Sequence, residues 1–71
     1  MPDANKRSAA YWDFYDSSSG ELLEEGRKIE QNSIPIVGGL VIGIPQKRNA
    51  IVRNFKFKGI RDGLPCYQVY V

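Results

Sequence analysis

The feature that most constrains this chain is the alternation of apolar and polar residues in its second half. Phenylalanines alternate with asparagine and lysine over residues 54–58, and tyrosine and valine alternate with other residues over 66–71. Successive side chains of a β-strand point to opposite faces, so this spacing predicts strands at 50–58 and 66–71. Residues 59–65 between them are predicted to form a turn, because they contain Asp62-Gly63, a dipeptide typical of tight hairpins.

The predicted strand over 50–58 needs one irregularity to bury its apolar residues on a single face. A strict period of two places Arg53 beside the phenylalanines and Val52 beside the lysines. A bulge near Arg53-Asn54 corrects this, because one extra residue moves Ala50 and Val52 to the phenylalanine face. We therefore expect the chain to bend at that point.

A run rich in branched aliphatic residues, 40–44 (LVIGI), predicts the preceding strand. Pro45 cannot donate a ladder hydrogen bond and should end it, and polar residues 46–49 are expected to form a hairpin loop. The even-numbered residues of this strand share one face, yet Val41 on the other face is also apolar. A strand that is apolar on both faces needs cover on both. The cover is either another element of the chain or a second copy of it.

The first half of the chain is less regular. Residues 10–16 (AYWDFYD) predict a strand with aromatic side chains on both faces, and 16–20 predict a turn. Residues 21–31 (ELLEEGRKIEQ) fit a helix through a capping box and a Glu24–Lys28 pair, but Gly20 and Gly26 disfavour it. We favour a short strand beginning at Leu22 and Leu23.

The pattern over Ile34 to Phe57 resembles SH3-like small barrels of the KOW and Sm type. There a Pro and a Gly lead into a β-branched strand, which turns through a basic hairpin into a strand with inward aromatics. Gly38-Gly39 stands where many of those barrels have Gly-Asp. The resemblance covers about half of the chain, and it implies a domain that binds peptides, nucleic acid or copies of itself.

We therefore predict a mainly-β fold, a five-stranded antiparallel SH3-like barrel or roll formed by residues 10–71. Residues 1–9 are expected to be a flexible tail, because they are polar and lack an apolar stretch. The alternative is an α+β fold with a helix over 20–31 packed on a four-stranded antiparallel sheet.

Composition argues against an enzyme. The 71 residues contain no histidine, the commonest general base near neutral pH, and the single cysteine, Cys66, has no imidazole to activate it. Asp13 and Asp16 flank a turn, where acids are usually solvated or stabilise the turn. We expect no catalytic residues, no metal and no cofactor. One cysteine and no membrane-length apolar run favour a cytoplasmic protein.

Charge is distributed unevenly along the chain. Residues 1–35 hold four basic and seven acidic side chains, whereas residues 36–71 hold six basic and one acidic, against a total net charge of +2. Such asymmetry indicates either an anionic partner or two parts of one fold that attract each other. The basic residues of the second half make single-stranded RNA or DNA the alternative partner, with these candidate contacts: Lys47, Arg48, Arg53, Lys56 and Lys58.

The function that we favour is protein binding or self-association. The doubly apolar strand at 40–44 and the outward aromatic face of the first strand leave apolar surface to be covered. Either the 11/15 side or the 12/14 side of the first strand is outward. The candidate contacts for a protein partner or a second copy are Tyr11, Trp12, Tyr15, Val41 and Tyr70.

Overall fold

The computed structural model describes residues 9–71, which form six strands in two sheets. The mainly-β prediction is confirmed, but there are six strands rather than five and the described residues form no closed barrel. One sheet has four strands in the order β2-β1-β6-β5, and the other is the hairpin β3-β4. The strands are β1 (Ala10–Tyr15), β2 (Leu22–Ile29), β3 (Leu40–Ile44), β4 (Lys47–Ile51), β5 (Asn54–Arg61) and β6 (Leu64–Tyr70).

The centre of the larger sheet is a parallel pair. β1 and β6 run parallel with an unbroken register from Tyr11 opposite Cys66 to Tyr15 opposite Tyr70, so the all-antiparallel expectation is wrong at this pair. β2 and β5 flank it as antiparallel edge strands. A parallel pair needs a long connection, and here the four intervening strands supply it.

The core lies between the larger sheet and the β3-β4 hairpin. Trp12, Phe14 and Val69 project from one face of the sheet, and Ile44, Ala50 and Val52 meet them from the hairpin side. Phe14 and Val69 are fully buried. Each layer thus contributes one face to the core, although Phe57 and Ile60, on the same side of β5, lie beyond the hairpin and are 61% and 68% exposed.

Residues 20–31 contain a strand, so the helix alternative is wrong, and no helix occurs in residues 9–71. Gly26 interrupts β2 with a φ of +72°, and the register with β1 shifts between Trp12 and Phe14. Glycine adopts this left-handed conformation without strain and often marks a bulge. Pairing with the aromatic strand β1 outweighs the weak helical signals of the segment.

The predicted strand over 50–58 is divided between the two sheets. β4 ends at Ile51, the chain turns through Val52 and Arg53, and β5 begins at Asn54. The expected bend is therefore confirmed, and Ala50 and Val52 face the core with 2% exposure each. The backbone N–H of Arg53 donates to the carbonyl of Tyr70, which fastens the crossing to the larger sheet.

Two of the three hairpin turns differ in length from their predictions. Asp62 and Gly63 both have positive φ and join β5 to β6, as expected for this dipeptide. The turn consists of these two residues rather than the predicted 59–65, because β5 continues to Arg61 and β6 begins at Leu64. The β3-β4 turn is shorter than the predicted loop at 46–49, because it consists of Pro45 and Gln46 alone. Gln46 has a φ of +68°, and positive φ is uncommon for glutamine, so the sequence did not predict a turn at this position.

The predicted tail lies outside the described residues except for Ala9, which is buried. Within residues 9–71, no helix is long and apolar enough to cross a membrane.

Candidate interaction surfaces

The outer face of the larger sheet carries tyrosines and lysines, and we call it the tyrosine face. The strand registers place the side chains of Tyr11, Asp13 and Tyr15 on the side of the sheet away from the core. No element formed by residues 9–71 lies over this side. The other residues of the face are Leu22, Glu25, Lys28, Asn54, Lys56, Cys66, Gln68 and Tyr70, together with the side-chain ends of Lys58 and Arg61.

The tyrosine rings form two platforms. The rings of Tyr15 and Tyr70 stack with centroids 5.3 Å apart and an interplanar angle of 26°. The guanidinium carbon of Arg61 lies 5.4 Å from the centroid of the Tyr11 ring, within cation–π range. All three tyrosines are partly exposed. These contacts hold the rings in place, and each contact covers one face of the ring that it touches.

A buried carboxylate lies beneath these side chains. Asp13 has no exposed surface, and its Oδ1 accepts a hydrogen bond from the backbone N–H of Gly26 at 2.8 Å. Its Oδ2 accepts from Nζ of Lys58, also at 2.8 Å. This hydrogen bond, followed by the charge of Asp13, raises the pKa of Lys58. Asp13 links the bulge of β2 to the edge strand β5 across the whole sheet.

The outer face of the hairpin has a different composition, and we call it the aliphatic surface. Leu40 and Ile42 project from β3 away from the core with exposed fractions of 62% and 65%, and Ile51 lies opposite Leu40 on β4. The loop before β3 continues the surface. Its remaining members are Ile34, Ile36 and Val37, which are 59–68% exposed.

A groove connects the loop to the hairpin. It has a volume of about 220 Å³ and is lined by Ile34, Ile36 and Leu40, with the core residues Trp12 and Val52 at its floor. The indole N–H of Trp12 donates to the carbonyl of Ser33 at 2.7 Å and anchors the loop. The aliphatic surface is therefore continuous from the loop to β3.

Gly43 decides which residues of β3 face outward. Its φ of +79° interrupts the strand alternation, so Ile44 turns into the core while Ile42, two residues earlier, remains outside. Arg27 of β2 donates to the carbonyls of Ile42 and Gly43 and fastens β3 at this point. A strict period of two predicted Leu40, Ile42 and Ile44 on one face, and this grouping is wrong.

The structure separates the predicted protein contacts. Tyr11, Tyr15 and Tyr70 come together on the tyrosine face. Trp12 is only 6% exposed and belongs to the core, and Val41 packs against the core from the hairpin. Trp12 and Val41 therefore offer little surface to a partner, because alternation turns them inward while their neighbours face outward.

The predicted basic contacts are also divided. Lys56 and Lys58 lie on the tyrosine face. Lys47 is half-buried, with Nζ 3.2 Å from the carbonyl oxygen of Val71 and 3.5 Å from Oδ1 of Asp16. Arg48 and Arg53 are exposed on β4 and on the crossing to β5.

The two acids near the first turn have separate environments. Asp16 stabilises the turn, as expected, because its Oδ1 accepts hydrogen bonds from the backbone N–H and hydroxyl of Ser18. These bonds, and then Lys47, lower the pKa of Asp16. Asp13 is buried, so the expectation of a solvated or turn-stabilising acid is wrong for it.

Three ion pairs within residues 9–71 join the acidic first half of the chain to the basic second half. They are Asp13–Lys58, Asp16–Lys47 and Glu25–Arg61, with the last at 3.9 Å. Part of the charge asymmetry thus serves contacts inside the fold. In the same residues, no three metal-ligating side chains come together.

Sequence reasoning missed the loop residues Ile34, Ile36 and Val37 as candidate contacts. Their signal was present, because residues 31–46 contain no charged side chain. Comparison of the chain with protein-family models, with curated proteins and with solved structures found no match.

Proposed function

We propose that this chain is a non-enzymatic interaction module that self-associates through the aliphatic surface. The observation that carries the proposal is the exposure of six aliphatic side chains within residues 34–51, of which Ile34, Ile36 and Leu40 line one groove and Ile51 lies opposite Leu40. Large contiguous apolar patches on small domains usually mark interaction sites. Scattered single exposed aliphatics need no such explanation.

Nothing in residues 9–71 covers this surface. β3 is apolar on both faces, its inner face packs on the core, and its outer face is exposed. A strand of this kind is covered either by another element of its own chain or by a second copy, and no element of the described residues covers the outer face of β3. A second copy supplies this cover, with the same patch contributed by each chain around a two-fold axis.

The chemistry of the surface fits its own copy. Residues 31–46 carry no charge, so the loop and β3 of two copies meet without placing like charges in contact. Ile51 lies on β4 between the exposed Arg48 and Arg53, so cations are confined to that edge of the surface. Interface centres are typically depleted of charged residues. A strongly charged partner would leave its charges unpaired against this surface, at a large desolvation cost.

The energies are of the required size. Complete burial of a Val, Leu or Ile side chain contributes about 1.5–3 kcal/mol, and these side chains start more than half exposed except for Ile51. A two-fold contact shields the six of each copy at once. The combined contribution is comparable with the roughly 4–15 kcal/mol that association requires.

The resemblance of residues 34–57 to SH3-like barrels is compatible with this proposal, because such domains include self-associating ones. It does not select the partner. The proposal rests on the exposed side chains.

The test is the molar mass in solution, measured by size-exclusion chromatography with light scattering over a range of concentrations. The wild-type chain is expected to give a dimer, and the double variant Leu40→Glu/Ile42→Glu a monomer with unchanged circular dichroism. Ile60→Glu is the matched control, because Ile60 is 68% exposed but lies on β5. It should leave the dimer intact.

Two outcomes contradict the proposal. One is a wild-type chain that stays monomeric at millimolar concentration. The other is a dimer that Ile60→Glu dissociates and the Leu40/Ile42 variant does not.

A further inference from the structure

We propose that the tyrosine face binds single-stranded nucleic acid, with bases stacked on the tyrosine platforms and phosphates held by the surrounding lysines. This surface lies on the opposite side of the molecule from the aliphatic surface. The inference is therefore independent of the proposed self-association. It rests on ring geometry, on the charges of the face and on the polar groups between the rings.

The rings are arranged for stacking. Tyr15 and Tyr70 already stack on each other across the parallel strand pair, and Tyr11 lies two residues before Asp13 on the same face of β1. Aromatic side chains on an open sheet offer flat surfaces to bases, and stacking tolerates any base because every base has a π face. Two platforms accommodate about two or three bases.

The charges of the face favour a polyanion. Its cations are Lys28, Lys56, Lys58 and Arg61, and its acids are Asp13 and Glu25. Asp13 is fully buried and paired with Lys58. Glu25 makes a long ion pair, with its Oε2 3.9 Å from Nη2 of Arg61. Because four cations meet two acids, the face is net positive and attracts phosphates.

Polar groups between the rings complete the surface. Gln68 lies between Cys66 and Tyr70 on β6, directly opposite Lys56. Asn54 lies opposite Tyr70, and its Oδ1 accepts from the N–H of Phe55, which leaves its side-chain N–H groups to donate to a ligand. Side-chain amides of this kind recognise the edges of unpaired bases.

A protein partner fits this face less well than nucleic acid does. Leu22, at the edge of the sheet, is the exposed aliphatic side chain on the described part of the face. Exposed lysines are depleted in protein interfaces. Rings surrounded by cations are the composition found in single-strand binders.

The measurement is fluorescence anisotropy of fluorescein-labelled ten-nucleotide oligomers, dT10 and rU10, titrated with the full chain. Binding is expected at 50 mM NaCl and should weaken with salt. Contact with about two or three phosphates gives a slope of about −1.5 to −2 for log affinity against log salt. The two oligomers distinguish DNA from RNA, and binding to either one supports the proposal.

Two variant pairs separate stacking from charge. Tyr70→Ser should weaken binding about tenfold, whereas Tyr70→Phe keeps the ring and should bind like the wild type. Lys56→Glu should weaken binding and lower the salt slope by about 0.7, while Arg48→Glu makes the same change of charge on β4. Arg48→Glu should have the smaller effect. Lys58 is left unchanged, because it pairs with buried Asp13.

Several results overturn the inference. Absence of binding to both oligomers at 50 mM salt is one, and equal losses from Lys56→Glu and Arg48→Glu are another, since they indicate attraction to net charge alone. Equal affinity for a duplex, or equal competition by poly-glutamate, also rejects it. The last result would identify an acidic polypeptide as the partner of this face. Circular dichroism and thermal unfolding of each variant separate loss of binding from loss of fold.

Discussion

The tyrosine face and the aliphatic surface are both sides of a sheet that point away from the core, and they differ in the contacts that their side chains make. On the tyrosine face, polar groups pair with one another: Asp13 with Lys58, and Arg61 with the ring of Tyr11. On the aliphatic surface, Leu40 and Ile42 project into solvent. Residues 31–46 contain no charged side chain that could lie over them. The first face is built from internal contacts, and the second exposes apolar area.

This difference teaches what kind of partner each face can take. Exposed aliphatic area gains free energy only when water is removed from it, so it favours a similar apolar surface. Rings and cations gain most from a ligand that carries π faces and negative charge. One small fold thus presents two chemically separate surfaces, and changes made on one should leave the other unaffected.

The largest expected effect on stability comes from the buried anchor of the tyrosine face. Asp13→Ala should lower the free energy of unfolding by about 2–3 kcal/mol, because Gly26 loses the acceptor of its N–H and Lys58 loses its partner. Urea denaturation measures the change. The molar mass of the folded chain should not change, since the aliphatic surface is untouched.

Glu25→Ala is the matched control for that substitution. Glu25 is 60% exposed and 3.9 Å from Arg61, so its removal should change stability by less than about 0.5 kcal/mol. Equal effects of the two substitutions would show that burial does not distinguish these carboxylates.

A smaller effect is expected at the anchor of the aliphatic surface. Trp12→Phe should lower the free energy of unfolding by about 1–2 kcal/mol, because the carbonyl of Ser33 loses its donor. Amide hydrogen exchange should accelerate in residues 33–39 and remain unchanged in β6. Self-association should weaken, since the loop contributes part of the proposed interface.

Tyr67→Phe is the control here, because Tyr67 lies opposite Trp12 on the core side of β6, whereas the donor to the carbonyl of Ser33 is Trp12. It should leave exchange in the loop unchanged. If exchange accelerates equally in the loop and in β6 of the Trp12 variant, the two faces are not independent.

Local pattern predicted much of this fold. Period-two spacing placed Tyr67, Val69 and Val71 together, and the bend near Arg53 followed from the burial of Ala50 and Val52. The turn at Asp62-Gly63 followed from the conformations that this dipeptide prefers. Each of these properties is decided by neighbours within a few residues.

The properties that were missed depend on distant or unusual contacts. Burial of Asp13 depends on Lys58, which is 45 positions away, and the parallel pairing of β1 with β6 has no local signature. The outward position of Ile42 depends on the positive φ of Gly43. Glycine adopts positive and negative φ with similar ease, so its presence in a strand does not predict which of the two occurs. The candidate surfaces follow from these contacts, so the sequence located their residue types but not their grouping.

The smallest predicted effect lies at the junction between the two layers, where Lys47 of the hairpin meets Asp16 after β1. Hydrogen bonds from Ser18, and then Lys47, hold the pKa of Asp16 below its ordinary value. The charged form is favoured in the folded chain, so this stabilisation is present above the pKa of the unfolded state and is lost as pH falls through the folded pKa.

Asp16→Asn tests this contact, because asparagine keeps an acceptor for Ser18 and does not titrate. The wild-type chain should therefore be slightly more stable than Asp16→Asn at pH 6, and the difference should shrink as the pH falls below about 4, the ordinary pKa of an aspartate. Thermal unfolding at intervals of half a pH unit measures it, and a difference that stays constant over this range would show that the Asp16 carboxylate does not fasten the hairpin to the sheet.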